Sequence, residues 1–118
     1  MLDFRRLFVE LEKLNKPIES SPPSAQVDKD LQSLIPAFLK NRQNEVELLK
    51  LAIEEQDFKS LERIGHILKG VAPSYGFEKL GEYGSLLEIK SKANAKEDCT
   101  SIVEQIARYV TNVTITFV

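Results

Sequence analysis

Apolar residues recur at alternating three- and four-residue steps along most of this chain, and the places where the pattern breaks divide it into segments. Phe4, Leu7, Phe8, Leu11 and Leu14 fall on one face of a first amphipathic segment over residues 1–14. Residues 15–27 interrupt it. They hold Lys16-Pro17 and Ser20-Ser21-Pro22-Pro23-Ser24, and consecutive prolines without amide donors read as an extended linker. From residue 28 the periodicity returns and runs to the end of the chain. Asp28 is the expected N-cap of a helix to about Glu55 through Leu31, Leu34, Phe38, Val46, Leu49 and Ile53, with Pro36 kinking or restarting it.

Gln56-Asp57 reads as a turn, with Asp57 capping the next helix. Phe58, Leu61, Gly65, Leu68, Ala72 and Tyr75 form its buried stripe, and Gly76 is a natural left-handed terminator. Phe77 to about Lys92 forms another helix with Phe77, Leu80, Gly84 and Leu87 inward. There Gly81 and Gly84 suggest a close approach to a neighbouring helix. The last helix starts near Lys96 and uses Ile102, Val103, Ile106, Tyr109 and Val110. The tail, residues 113–118, is alternating and β-branched. A lone strand in a helical chain has no partner, so the tail is assigned to the helix.

The one histidine, His66, falls off the buried stripe. At helical spacing it lies among Lys59, Glu62, Arg63, Lys69 and Gly70, on the side facing water. An exposed imidazole, whose ordinary pKa is about 6.5, keeps a large neutral and nucleophilic fraction near neutral pH. Gly70, one turn on, puts no side chain beside it. An interior helical Gly costs on the order of 1 kcal/mol relative to Ala, and clearance for an approaching body is a compensating reason. Lys69 can lean its ammonium towards a group bonded to His66, which suits a phosphoryl group with its nearly two negative charges.

His66, Leu68, Lys69, Gly70 and Gly76 resemble the pattern of the histidine-containing phosphotransfer (HPt) domains, specifically a bacterial type. The resemblance extends to Leu34–Arg42 upstream and to Tyr75-Gly76-Phe77, Leu80, Gly81 and Glu88 downstream, about residues 28 to 118. The expected fold class is all-α: an antiparallel four-helix bundle over residues 28–118 with an additional N-terminal helix. The resemblance implies that His66 accepts a phosphoryl group from a receiver-domain aspartate and returns it to another. Lys69 would be the phosphoryl charge partner, Gly70 would give the partner clearance, and Nε2 would be the attacking atom. The implied partners are receiver domains of response regulators or a hybrid histidine kinase. A departure from the pattern is Val71-Ala72-Pro73 after the Lys-Gly pair. Pro73 cannot donate to the Lys69 carbonyl and is expected to disturb the helix beyond His66. On that ground a helical module that binds a receiver or kinase without being phosphorylated is the alternative. A bundle that only dimerises through its N-terminal arm explains least.

Composition narrows the remaining classes. A formal net charge of -2 on 118 residues gives no electrostatic case for nucleic-acid binding. Glycines 76, 81 and 84 follow a helix end and not a strand, so no phosphate-cradling loop is expected, and the carrier would have no kinase site of its own. One His and one Cys far apart make a metal site improbable, and no cofactor is expected. The lone Cys99 and the lack of an apolar run of about 18 residues lead to the expectation of a cytoplasmic monomer that neither enters a membrane nor forms disulfides.

Overall fold

The computed structural model describes residues 22–118. In chain order the elements are strand β1 (Ser24–Val27), a 3-10 helix (Lys29–Leu34), α1 (Ile35–Glu55), α2 (Phe58–Ser74), α3 (Glu78–Lys92), α4 (Lys96–Asn112) and strand β2 (Thr114–Phe117). Local chemistry sets these boundaries. The Asp28 carboxylate accepts from the Asp30 amide at 2.8 Å and opens the 3-10 helix. Pro36 sits in the first turn of α1, where no intrahelical donor is needed, so the chain restarts as α-helix there instead of kinking. Gln56, left-handed at φ 54°, stops α1. Asp57 then caps α2, accepting from the Ser60 amide at 3.1 Å and the Ser60 hydroxyl at 2.7 Å.

The helices run antiparallel through short turns. The main contacts are α1 with α2, α2 with α3, α3 with α4, and α4 back with α1, which closes a four-helix bundle. Leu49, Leu61, Leu68, Leu80, Leu87 and Ile106 are fully buried between them, each worth about 1.5–3 kcal/mol as apolar surface removed from water. At one end Phe38 stacks on Tyr75 and Phe77, with centroids 4.5 and 4.9 Å apart, and Tyr109 meets Phe77 edge-on. The stripe expected on α2 is the one buried at Leu61, Gly65, Leu68 and Ala72. Ile64 joins it, while Phe58 and Tyr75 at the ends are half-buried.

The tail corrects the helical assignment of residues 113–118. Thr114–Phe117 is a strand, and its partner lies in the segment read as linker. β1 and β2 pair in parallel, Ser24 with Thr114 through Val27 with Phe117. Ala25 and Val27 point into the core, so residues 24–27 are extended as expected but belong to the bundle. The Lys29 amide donates to the Val118 carbonyl and the Val118 amide to that of Val27, both at 2.9 Å, which holds the two ends together. β1 also crosses the α2–α3 turn. Gly76 there has φ +97°, and a Cβ on it would lie 2.5 Å from the Gln26 carbonyl oxygen. The helix expected over residues 1–14, and the linker up to residue 21, lie outside the described residues. Among the described residues, no helix is long and apolar enough to cross a membrane.

Candidate functional site

The site begins with two glycines. A Cβ on Gly65 would lie 2.8 Å from the Gly84 carbonyl oxygen and 2.9 Å from the Glu88 amide nitrogen. One on Gly84 would lie 2.7 Å from the Gly65 carbonyl oxygen and the Lys69 amide nitrogen. No real side chain fits at either place, so α2 and α3 touch backbone to backbone. That contact sits one residue before His66 and one turn before Glu88, and brings two exposed faces within side-chain reach.

His66 lies on the outward face of α2, its side chain 67% exposed. Its Nδ1 is 3.0 Å from Oε2 of Glu88. The other Glu88 oxygen, Oε1, is 3.0 Å from Lys69 Nζ. Lys92, one turn further along α3, brings its Nζ to 4.0 Å from Glu88 and 3.9 Å from Glu62. Glu88 is thus a mostly covered carboxylate, 13% exposed, with cationic or donor groups around it. The hydrogen bond from Lys69 is the main cause holding its carboxyl below the ordinary carboxylate range. Partial burial opposes this, and the bond with His66 adds to it.

An ionised carboxylate only accepts hydrogen bonds, so the contact with Glu88 requires the proton of a neutral His66 ring to be on Nδ1. Nε2 then carries the free lone pair on the other side of the ring. A carboxylate on Nδ1 also stabilises positive charge that develops on the ring when Nε2 forms a bond, the same physical role a carboxylate has behind a catalytic histidine.

Gly70 is exposed, and a Cβ placed there would meet nothing within 4 Å. Packing therefore gives no reason for this glycine. Pro73 does less to the helix than its chemistry suggested: α2 continues through it to Ser74, whose hydroxyl donates to the Val71 carbonyl at 2.7 Å. The Pro73 ring lies against Gly81, where a Cβ would come within 2.5 Å of it, so Gly81 makes room for the proline. α2 stays helical through Lys69 and Gly70 to Ser74.

His66, Lys69 and Gly70, singled out in the sequence, are brought together on one exposed face. Glu88 entered the sequence reading only as part of the resemblance, without a role. Its signal was the spacing of the glycines: if Gly84 meets Gly65, the residue one turn after Gly84 faces His66. The nearby open groove, about 560 Å³, is lined by Lys59, Glu62 and Lys92 among others and does not include His66. The histidine stands outside that groove, its side chain open to solvent. Cys99 is fully buried, and burial pushes its thiol up, which removes it as a competing nucleophile. No group of His, Cys, Asp and Glu among the described residues is arranged to hold a metal ion.

Compared with known protein families, the chain matches the Hpt domain over residues 33–114, the span from the end of the 3-10 helix to the start of β2. The comparisons with curated proteins and with solved structures gave no match.

Proposed function

The chain belongs to the Hpt domain family, whose members carry phosphoryl groups in two-component phosphorelays, and from that premise we propose that His66 is its phospho-acceptor. The observation that carries this reading is the 3.0 Å contact between His66 Nδ1 and the Glu88 carboxylate, which leaves Nε2 as an unprotonated, exposed nucleophile. Nε2 attacks the phosphorus of a receiver's aspartyl phosphate in line with the bond to the aspartate oxygen. The N–P bond forms with the lone pair of Nε2, the P–O bond breaks, and the aspartate leaves as a carboxylate. The ring, still protonated on Nδ1, becomes cationic, and Glu88 balances that charge. The reverse step transfers the group to a second receiver, with the cationic ring as a good leaving group.

Lys69 has two roles in this scheme. It fixes Glu88 through its ammonium, and it adds positive charge beside the phosphoryl group. Gly70 leaves the approach to Nε2 open. The exposed site suits a carrier: the receiver supplies the pocket and most of the charge stabilisation, and this chain supplies a positioned nucleophile. The partners are receiver domains, met in brief contacts of modest area.

The test is to mix the purified chain with phosphorylated receiver domains and follow the label. Wild type should take up acid-labile, base-stable phosphate. His66→Gln should take up none while keeping its helical content and melting temperature, since the side chain is mostly solvated. Uptake by the folded variant would overturn the assignment.

A further inference from the structure

The small sheet has two edges, and the rest of the fold treats them differently. β1 lies against the α2–α3 turn, where its Gln26 carbonyl oxygen is 2.5 Å from the place of a Cβ on Gly76, so that edge is covered. β2 has β1 on one side and, among the described residues, no strand on the other. The amides of Thr114 and Val118 donate to the Pro23 and Val27 carbonyls at 2.9 Å, so these residues turn their main chain towards β1. Alternation along a strand turns Thr116 the same way, and Ile115 and Phe117 the opposite way. The amides and carbonyls of Ile115 and Phe117 thus form an outer edge with no main-chain partner among the described residues. Main-chain groups left unpaired away from water are costly, so this edge faces solvent.

Nothing in the sequence blunts it. Val113-Thr114-Ile115-Thr116-Phe117-Val118 holds no charge and no proline, the usual protections of an open edge, and it is rich in β-branched residues. Ile115 and Phe117 are only half-buried on the face that packs on the core, and Val118 is 61% exposed.

The edge is also complementary to itself. In an antiparallel pairing about a two-fold axis at Thr116, Ile115 stands opposite Phe117 of the second copy, and Phe117 opposite Ile115. Each such pair exchanges both of its N–H···O bonds. An axis at Ile115 would instead set Phe117 against Val113, whose amide already donates to the Tyr109 carbonyl at 2.9 Å. With the axis at Thr116, isoleucine packs beside an aromatic ring on the core side and threonine meets threonine on the outer side, both favourable cross-strand pairs. No like charges are brought together along the strand.

We infer that β2 pairs with β2 of a second copy of this chain, antiparallel about Thr116, joining the two small sheets into one. Strands this short bury well under the roughly 1,200 Å² of a stable interface, so the dimer forms and parts with concentration. The sheet lies at the Gly76 end of α2, about 15 Å along the chain of the helix from His66, and both histidines stay open. The pairing is independent of the phosphotransfer reading, because it uses none of the residues around His66.

Sedimentation equilibrium of the full chain tests it. Between about 10 µM and about 1 mM the mass should rise from one chain towards two. Over the same range amide exchange at Ile115 and Phe117 should slow at least threefold, while Thr114 and Val118, already bonded to β1, stay unchanged. Thr116→Lys, at an exposed position, should keep the melting temperature and remain one chain at every concentration, because the axis sets its two ammonium groups face to face. Thr116→Glu should behave alike, and an equimolar mixture of the two variants should regain the dimer. A wild-type mass of one chain throughout overturns the proposal. So does a dimer that persists in either variant alone, or a mixture that fails to associate, since the contact would then lie elsewhere.

Discussion

Gly65 and Gly84 meet backbone to backbone, with the Gly84 carbonyl oxygen 2.8 Å from where a Cβ on Gly65 would lie. This contact sets the height at which α3 passes α2, and so decides which α3 residue faces His66. Glu88, one turn after Gly84, is that residue.

Gly84, in that contact, and Gly70, outside it, should therefore respond to substitution with opposite signs. Gly84→Ala forces a methyl group against backbone atoms at 2.7 Å and should destabilise the fold by about 1–3 kcal/mol in urea unfolding. Gly70→Gln meets open space and should leave stability equal or raise it by up to about 1 kcal/mol. Single-turnover assays should nonetheless show phosphotransfer blocked in Gly70→Gln, because the new side chain stands where the receiver approaches. Unchanged transfer would remove the clearance role.

Glu88 is expected to act through His66 and not on the phosphoryl group itself. Glu88→Ala should slow phosphotransfer by about tenfold or more, since the ring loses both its proton acceptor and the opposing charge. Glu88→Gln keeps an acceptor oxygen without the charge and should fall between the two. Equal transfer rates for all three proteins would mean the contact is incidental.

The helical part of this architecture was legible because it is written locally. The α2 stripe, the Asp57 cap and the Gly76 terminator each depend on residues within one or two turns. The β1–β2 pair was not legible, because Thr114–Phe117 finds its partner at the opposite end of the described chain and parallel pairing has no turn to announce it. The same holds within the site. His66, Lys69 and Gly70 share one helix and could be read together. Glu88 joins them only through the register between α2 and α3.

Lys69→Ala should slow transfer within about tenfold without eliminating it, because the nucleophile stays and an exposed charge is lost. Raising the salt concentration should shrink the difference from wild type, since exposed charges are screened over about 10 Å at 0.1 M. Single-turnover rates at low and high salt measure both effects. Equal rates at low salt would leave Lys69 as an ordinary solvated helix residue.

Among the described residues, two carboxyls held below their ordinary range contribute to the acid limb of stability. Asp57 is lowered chiefly by the Ser60 hydroxyl and amide, and Glu88 chiefly by Lys69. A depressed folded-state pKa contributes stability that is full above the ordinary carboxylate value, near 4, and is lost as pH falls through the lowered one. The melting temperature should accordingly drop on acidification below about pH 4. Asp57→Asn and Glu88→Gln should each start lower at neutral pH and show a flatter acid limb. A variant whose acid limb is as steep as wild type would exclude that carboxyl as a source.

The most direct test of the central claim is nitrogen-15 NMR of the histidine ring after phosphorylation by a receiver domain. The proposed role of His66 calls for a single phosphoramidate on its Nε2, with the proton retained on Nδ1 facing Glu88. A phosphoryl group on Nδ1, on any other residue, or on none would contradict it.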